Sequence, residues 1–316
     1  MARRDATATI GVDVGGTTTK AGVVSRDGVL TTRAEHPTDP SAGTKGIIAV
    51  IEELLARDSA GTVRGVGVGA AGFVGGESII FSPNITYDDP HLGRAITDRF
   101  DLPTVIDNDA NAAAWGEFHF GAAKGAQNLV LLTLGTGVGS GVVVGGELLR
   151  GHTGTAAELG HIVVDPNGPE CPCGLRGCTE MFVAGPAIAR LATTAVATDP
   201  SSSILDFAGQ ADAITAEHVG RAAREYDETA RAVLRSAGTM LGVALSNVVN
   251  IFDPEVIVLA GGVTSIGEPL LGPARDELAR RTTAQRRRPM RLDVSTLGDD
   301  VGILGAAALA FDGRGS

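Results

Sequence analysis

Residues 8–24 read ATIGVDVGGTTTKAGVV, and the same order of features returns at residues 128–144, NLVLLTLGTGVGSGVVV. In both stretches an apolar run leads into a turn of glycines and hydroxyl-bearing residues and then into a second apolar run, which predicts a β-hairpin. Glycine has no Cβ, so the backbone N–H groups of such a tip can approach an anion closely. Each stretch alone also fits an ordinary hairpin; their recurrence favours two phosphate-binding tips.

The rest of the chain alternates strand patterns with helix patterns. Strand patterns cover residues 63–69, 103–106 and 255–259. Helix patterns cover residues 44–57, 92–100, 184–195, 229–251 and 301–310, and another helix opens at residues 107–109 and runs to about residue 119. This alternation predicts an α/β protein with helices on the faces of its sheets, and 316 residues are enough for two lobes.

One glycine motif needs a separate interpretation. Gly67-Val-Gly69-Ala-Ala-Gly72 follows a predicted strand and matches the dinucleotide-binding pattern. Residues 73–81 then read as a turn and a strand, whereas a dinucleotide site requires a helix. We therefore interpret these glycines as positions of close backbone packing near a bound ligand. The chain contains no G-x-x-x-x-G-K-[ST] motif, which excludes a P-loop enzyme.

The composition limits the partners and the location of the protein. A formal net charge of −11 argues against nucleic acid as the main partner, because binding the phosphate backbone of a nucleic acid needs a basic face. The basic run at residues 286–288 is interpreted as a solvated loop. The apolar stretch in the N-terminal sequence MARRDATATI is too short for a signal peptide, and no segment approaches about 18 consecutive apolar residues. We expect a cytoplasmic protein without a membrane partner.

All 3 cysteines lie in the run Cys171-Pro-Cys173-Gly-Leu-Arg-Gly-Cys178. Together with His161 they form the Cys₃His ligand set of structural zinc sites. A disulfide would leave one thiol over, the spacing is not that of a C-x-x-C redox pair, and isolated buried cysteines would not cluster among turn residues. We predict zinc, with a structural role, because four protein ligands leave no open position for a reactive water.

Four motifs together resemble the ROK family of sugar kinases and repressors. They are Asp13-Val-Gly-Gly-Thr17, Leu134-Gly-Thr-Gly-Val-Gly139, Glu158-Leu-Gly-His161 and the run CPCGLRGCTE, and they follow in the right order along nearly the whole chain. The bacterial glucokinase branch is the most similar part of the family. The resemblance implies the two-lobed actin/Hsp70/sugar-kinase (ribonuclease H-like) fold with a cleft between the lobes. The small lobe would hold residues 1–107 and 301–316, and the large lobe residues 108–300 with the zinc loop.

The resemblance also implies how ATP and magnesium are bound. Asp13, Gly15, Gly16 and Thr17 would face the phosphates and their magnesium from one lobe. Thr136 and Gly137 would face them from the other, and Gly261 and Gly262 would line the adenine pocket. Family repressors carry an additional N-terminal DNA-binding domain, and the first hairpin begins too close to Met1 to leave room for one, which favours a kinase.

Asp109 is the candidate general base, since it lies at a strand-to-helix junction and the family's Asn-Asp pair falls on Asn108 and Asp109. Taken in isolation, Asp109 also fits a helix cap, although Asp107 and Asn108 can cap as well. The sugar-binding set implied by the family is Asn84, Asn108, Asp109, Glu158, His161 and Glu180. Carboxylates and amides are suited to vicinal hydroxyls. His161 fits either a purely zinc-binding role or a dual role, with one ring nitrogen on zinc and the other facing the sugar.

The expected reaction is ATP-dependent phosphorylation of glucose at the 6-hydroxyl, by in-line transfer of the γ-phosphoryl group. Kinases acting on N-acetylglucosamine, N-acetylmannosamine, allose or fructose share these motifs, so another hexose is the first alternative. A sugar-sensing regulator without turnover is the second, and the intact Asp109 and both glycine hairpins speak against it. Family resemblance further implies a homodimer or homotetramer.

Overall fold

The computed structural model describes residues 7–41, 43–59, 61–76, 78–82, 85–87, 89–282 and 290–313. Two sequence predictions, the sugar-binding role of Asn84 and the solvated loop at 286–288, lie outside these residues. The chain divides into two compact units. The first unit consists of Met1–Leu131, Gly141–Ala157 and Ser295–Ser316, and the second of Leu132–Ser140 and Glu158–Val294.

Strands and helices alternate along the chain. The strands are β1 (Ala8–Val14), β2 (Thr18–Ser25), β3 (Leu30–Pro37), β4 (Val63–Ala70), β5 (Phe73–Gly75), β6 (Ser78–Phe81), β7 (Thr104–Asn108), β8 (Leu129–Leu134), β9 (Val138–Val144), β10 (Glu147–Leu148), β11 (Val256–Ala260) and β12 (Arg291–Val294). The helices are α1 (Gly43–Arg57), α2 (Leu92–Phe100), α3 (Asp109–His119), α4 (Glu180–Val183), α5 (Gly185–Val196), α6 (Ile204–Ala208), α7 (Ala216–Arg224), α8 (Glu228–Phe252), α9 (Glu268–Arg281) and α10 (Val301–Asp312). Short 3₁₀ turns cover Leu159–His161 and Gly262–Ile266.

The first sheet has the order β3-β2-β1-β4-β7. β1 and β2 are antiparallel, as the first hairpin predicted, and β1, β4 and β7 run parallel. Parallel strands end at the same edge of a sheet. In this register Asp13 lies beside Gly69, and Gly69 lies beside Asp107. The polar residues at the ends of β1 and β7 are therefore brought to one edge.

Two glycines allow α10 to pack directly on the first sheet. A Cβ at Gly11 would overlap the backbone of Ile303, and a Cβ at Gly67 would overlap the backbone of Ala306. Gly67 therefore does serve close backbone packing, but its partner is a helix of the protein rather than a bound ligand. β5 and β6 pair as an antiparallel hairpin, which agrees with the strand expected after the glycine motif.

The first unit extends beyond the predicted small lobe, because α3 packs against α10. A Cβ at Gly305 would overlap the backbone of Ala112, so the two helices are in close contact. Trp115 Nε1 also donates a hydrogen bond to Asp312 Oδ2 at 3.0 Å. Residues 108–131 consequently belong with the first sheet, and not with the second unit as the boundary at 107/108 had it.

The second sheet has the order β10-β9-β8-β11-β12, so β8 and β9, the second predicted hairpin, are hydrogen-bonded neighbours. β11 is buried along its whole length, and β12 pairs with it in parallel. Among the helices of the second unit, α8 packs against α9, where a side chain at Gly238 would overlap the backbone of Leu270. By length and composition α8 could span a membrane, but 61% of its apolar window is buried inside the protein, as in a core helix.

Candidate active site and metal centre

Two carboxylates, Asp13 and Asp109, interact at the edge of the first sheet. Burial raises the pKa of Asp13 to about 7, with a further increase from the Asp109 charge and an opposing effect of Lys20. Burial also raises the pKa of Asp109, against the lowering effect of the hydrogen bond that Ala110 N donates to it. α10 begins beside Asp13, since a side chain at Gly302 would overlap the Asp13 carboxylate. Such a pair favours the binding of a cation or a proton.

Asn108 is the N-cap of α3, and this frees Asp109 from that role. Its Oδ1 accepts hydrogen bonds from the backbone N–H groups of Ala110, at 2.9 Å, and Asn111, at 3.1 Å. Its Nδ2 donates to the carbonyl of Gly72 at 3.0 Å. Asp109 is the first residue of the helix, where a carboxylate interacts favourably with the helix dipole. Capping therefore does not account for Asp109.

Tyr87 is a residue of this region that the sequence patterns did not single out. Its hydroxyl is fully buried and has no hydrogen-bond partner among the described residues. Burial and the charge of Asp109 both raise the pKa of Tyr87. A buried hydroxyl without a partner is costly, and such groups in native proteins usually have a ligand or a function. No motif around Tyr87 signalled it; only its buried position does.

The tip of the first hairpin is anchored by Thr38, which directly follows β3. Thr38 Oγ1 donates to the carbonyl of Gly15 at 2.7 Å, and Thr38 N donates to the carbonyl of Thr17 at 2.9 Å. Gly15 N in turn donates to the carbonyl of Thr18 at 3.0 Å. Gly16 and Thr17 are exposed. The tip thus has a fixed backbone and an accessible surface, as an anion-binding turn requires.

Four predicted zinc ligands meet in the second unit. The candidate ligand atoms of His161, Cys171, Cys173 and Cys178 all lie within 4.8 Å of one another. Cys171 Sγ is 3.7 Å from His161 Nδ1, and Cys173 Sγ is 3.6 Å from Cys178 Sγ. Tetrahedral ligands with Zn–S bonds of about 2.3 Å have sulfurs about 3.8 Å apart. The donor set and its spacing therefore fit zinc.

The metal loop and the nearby turn are attached to the second hairpin. Glu180 Oε2 accepts a hydrogen bond from Val138 N at 2.8 Å, and a Cβ at Gly137 would lie 2.6 Å from the same oxygen. Ser140 Oγ accepts from Leu159 N at 3.0 Å, which ties the 3₁₀ turn ending at His161 to the same strand. Residues on both sides of the zinc run are thus positioned by the hairpin tip.

A pocket of about 970 Å³ lies within the second unit. This volume is at the upper end of the range typical for small-molecule sites, about 300–1,000 Å³. Two of the residues predicted to bind nucleotide, Thr136 and Gly262, line the pocket; Gly137 and Gly261 are not among its lining residues. The start of α7 contributes further lining, and no sequence motif indicated it. The residues of that region are Ile214, Thr215, Ala216 and Glu217, and Arg224 at the end of the same helix also lines the pocket.

Comparison with known proteins identifies the class and then the family. The fold is that of the actin/Hsp70/sugar-kinase class: the crystal structure of a ROK family glucokinase from Streptomyces griseus, in complex with glucose and AMPPNP, superimposes with a TM-score of 0.83 at 38% identity. The match covers 96% of this chain and 99% of that one. The ROK family profile matches residues 9–312, and the chain belongs to this family. The fold and family predictions are confirmed.

Relatives of known function include kinases and repressors. The glucokinase of Streptomyces coelicolor is 38% identical over 310 residues, covering 96% of this chain and 97% of the relative. The xylose repressor of Bacillus spizizenii is 30% identical over 309 residues, covering 96% of this chain and 77% of the repressor. The similarity to the glucokinase is thus both higher and more complete.

Proposed function

We propose that the protein is an ATP-dependent hexose kinase that transfers the γ-phosphoryl group of ATP to the 6-hydroxyl of glucose. The observation that carries this proposal is the Asp13–Asp109 pair at the carboxyl edge of the first sheet, in a chain similar to glucokinases over nearly its full length. Phosphoryl transfer depends on positioning and charge neutralisation, with a base near the attacking hydroxyl. The two carboxylates supply a base and a cation ligand.

In this mechanism Asp109 accepts the proton of the sugar hydroxyl as that oxygen attacks phosphorus. Burial raises the pKa of Asp109, so its carboxylate is a stronger base than that of an ordinary aspartate. Asp13 would hold magnesium, which supplies neutralisation of the phosphate charge. The exposed backbone at Gly16 and Thr17 would contact the phosphates of ATP. Thr136 and Gly262 would contact the nucleotide in the pocket of the second unit.

Glu180 and His161 each keep a polar atom that could bind the sugar. Glu180 uses Oε2 for Val138 N, and its Oε1 carries no hydrogen bond within the described part of the chain. His161 directs Nδ1 towards Cys171 Sγ, which leaves Nε2 for a sugar hydroxyl. We assign Glu158 and Asn108 to the same set, and Asn84 on the family pattern alone.

A panel of hexoses tests the proposed function. ATP consumption is measured in a coupled assay with glucose, N-acetylglucosamine, N-acetylmannosamine, allose and fructose, and glucose is expected to give the highest kcat/KM. A higher kcat/KM for another hexose would identify that sugar as the preferred substrate. Saturable glucose binding by calorimetry without turnover of any hexose would support a sugar-sensing regulator, the alternative raised by the similarity to a xylose repressor.

We assign the buried Tyr87 hydroxyl to the sugar site, because it has no hydrogen-bond partner within the described residues. Replacing Tyr87 by phenylalanine should raise KM for glucose about five- to tenfold and change kcat little, because one neutral hydrogen bond to the sugar is worth about 1 kcal/mol. The hydroxyl has no protein partner to lose within the described residues, so stability without sugar should not fall. Steady-state kinetics and thermal melts with and without glucose measure both quantities. Tyr226→Phe, at an exposed tyrosine, is the matched control. An unchanged KM in Tyr87→Phe would remove Tyr87 from the sugar site.

The cellular setting follows from the same proposal. A hexose kinase that uses ATP would act in the cytoplasm, and a net charge of −11 speaks against a nucleic-acid partner. Family membership supports a homodimer or homotetramer. Light scattering coupled to gel filtration distinguishes these states from a monomer.

A further inference from the structure

Asp107 is a buried carboxylate directly before the Asn108–Asp109 pair. Only 2% of its side chain is exposed. Its Oδ1 accepts hydrogen bonds from Asn108 N at 2.8 Å and from Asn111 Nδ2 at 2.9 Å. Its Oδ2 accepts from Arg150 Nε at 2.7 Å. The sequence patterns assigned Asp107 only a capping role, and Asn108 fills that role.

The cation that compensates Asp107 comes from a distant part of the chain. Arg150 follows β10, 43 residues after Asp107, and 19% of its side chain is exposed. Its carbonyl accepts from Ala156 N at 3.1 Å, which closes the segment on itself. Breaking a buried ion pair by removing one partner leaves an uncompensated charge. The ion pair with Arg150 therefore offsets the cost of burying the charged Asp107 carboxylate.

The contacts of Asp107 converge on the first turn of α3. Asn111, which donates to Asp107, also has its backbone N–H bound by Asn108 Oδ1, and Asn108 Nδ2 is held by the carbonyl of Gly72. Asp109 lies inside this framework, at the first position of the helix. Any rotation of the junction would move the Asp109 carboxylate together with these partners.

We propose that Arg150, acting through Asp107, is a positioning residue that fixes the orientation of the Asp109 carboxylate for proton transfer. Arg150 touches neither substrate nor the transferred group in this role. It holds Asp107, which holds Asn108 and Asn111 and so the helix start that carries Asp109. The assignment rests on the proposed kinase function of the same site.

The test compares Arg150→Ala, Arg150→Lys and the control Arg99→Ala. Arg99 belongs to the same unit and forms a comparable contact with Glu52 at 2.6 Å, but both side chains of that pair are exposed. Misplacement of a reacting group by about 1 Å costs about 10²-fold in rate. We expect Arg150→Ala to lower kcat by about that factor while KM for glucose changes much less. Arg150→Lys should retain part of the activity, because it keeps the charge without the planar geometry.

Rescue by free guanidinium ion separates positioning from general stability. Added guanidinium should raise kcat of Arg150→Ala by about tenfold and leave Arg99→Ala unaffected. Only Arg150→Ala leaves a buried carboxylate, Asp107, without its cation, because the partner of Arg99 is the exposed Glu52. If Arg150→Ala does not fold, Arg150→Lys must still show a lower kcat with little change in KM. Wild-type kcat in the folded variants, or a loss of kcat that guanidinium does not restore, overturns the positioning role. A wild-type protein that turns over no hexose overturns the proposed function, and the positioning role with it.

Discussion

Replacing Asp109 by asparagine is expected to lower kcat by about 10²–10⁴-fold, the usual contribution of a positioned general base, while glucose still binds. Asparagine has nearly the same shape, and its side-chain oxygen can keep the hydrogen bond from Ala110 N, so α3 should start as before. The amide cannot accept the proton of the sugar hydroxyl. A coupled kinetic assay measures kcat, and calorimetry measures the dissociation constant for glucose.

Asp98→Asn is the matched control, because Asp98 is an exposed aspartate of the same unit, in α2. It should behave as wild type. A kcat for Asp109→Asn within a few-fold of wild type would rule out Asp109 as the base. Loss of glucose binding together with activity would instead make Asp109 chiefly a sugar ligand.

The second large effect is expected for Cys173→Ser, which should abolish zinc binding. Glucose binding should weaken by about tenfold, which is the size of effect seen when the surroundings of a metal site are disturbed. Cys173 is exposed, so the substitution alters packing little, and a large effect must arise from the metal. His161 and Glu180 flank the metal loop and would lose their fixed positions. Elemental analysis measures zinc, and calorimetry measures glucose affinity.

Leu175→Ser provides the control, since Leu175 is an exposed residue of the same loop without a ligand atom. It should retain zinc and bind glucose normally. Zinc retained at a stoichiometric level in Cys173→Ser would contradict the four-ligand site. Loss of zinc without any change in glucose affinity would support the four-ligand metal site but show that zinc does not contribute to sugar binding.

The features best predicted from the sequence are those with a local pattern. Both hairpins and all the helices inferred from periodicity are present, because apolar spacing directly reflects which face of an element is buried. The cap of α3 was ambiguous, since Asp107, Asn108 and Asp109 all have suitable side chains. Only their hydrogen bonds distinguish the cap from the candidate base and from the buried ion-pair partner.

Contacts between distant segments were not predictable in this way. Nothing in the sequence links Arg150 to Asp107, or indicates that Glu180 binds the backbone of Val138. The boundary between the units was misplaced for the same reason: the close contact of α3 with α10 depends on Gly305, far along the chain.

The packing of α10 on Gly11 and Gly67 also constrains the order in which the protein can be assembled during translation. The strands that these glycines belong to are made early, but the helix that covers them is made only after every residue of the second unit. Domains generally fold as units, beginning at the N-terminus as the chain emerges. The part of the first sheet at Gly11 and Gly67 therefore stays uncovered until the ribosome has produced Val301–Asp312. The second unit is thus the first that can be completed.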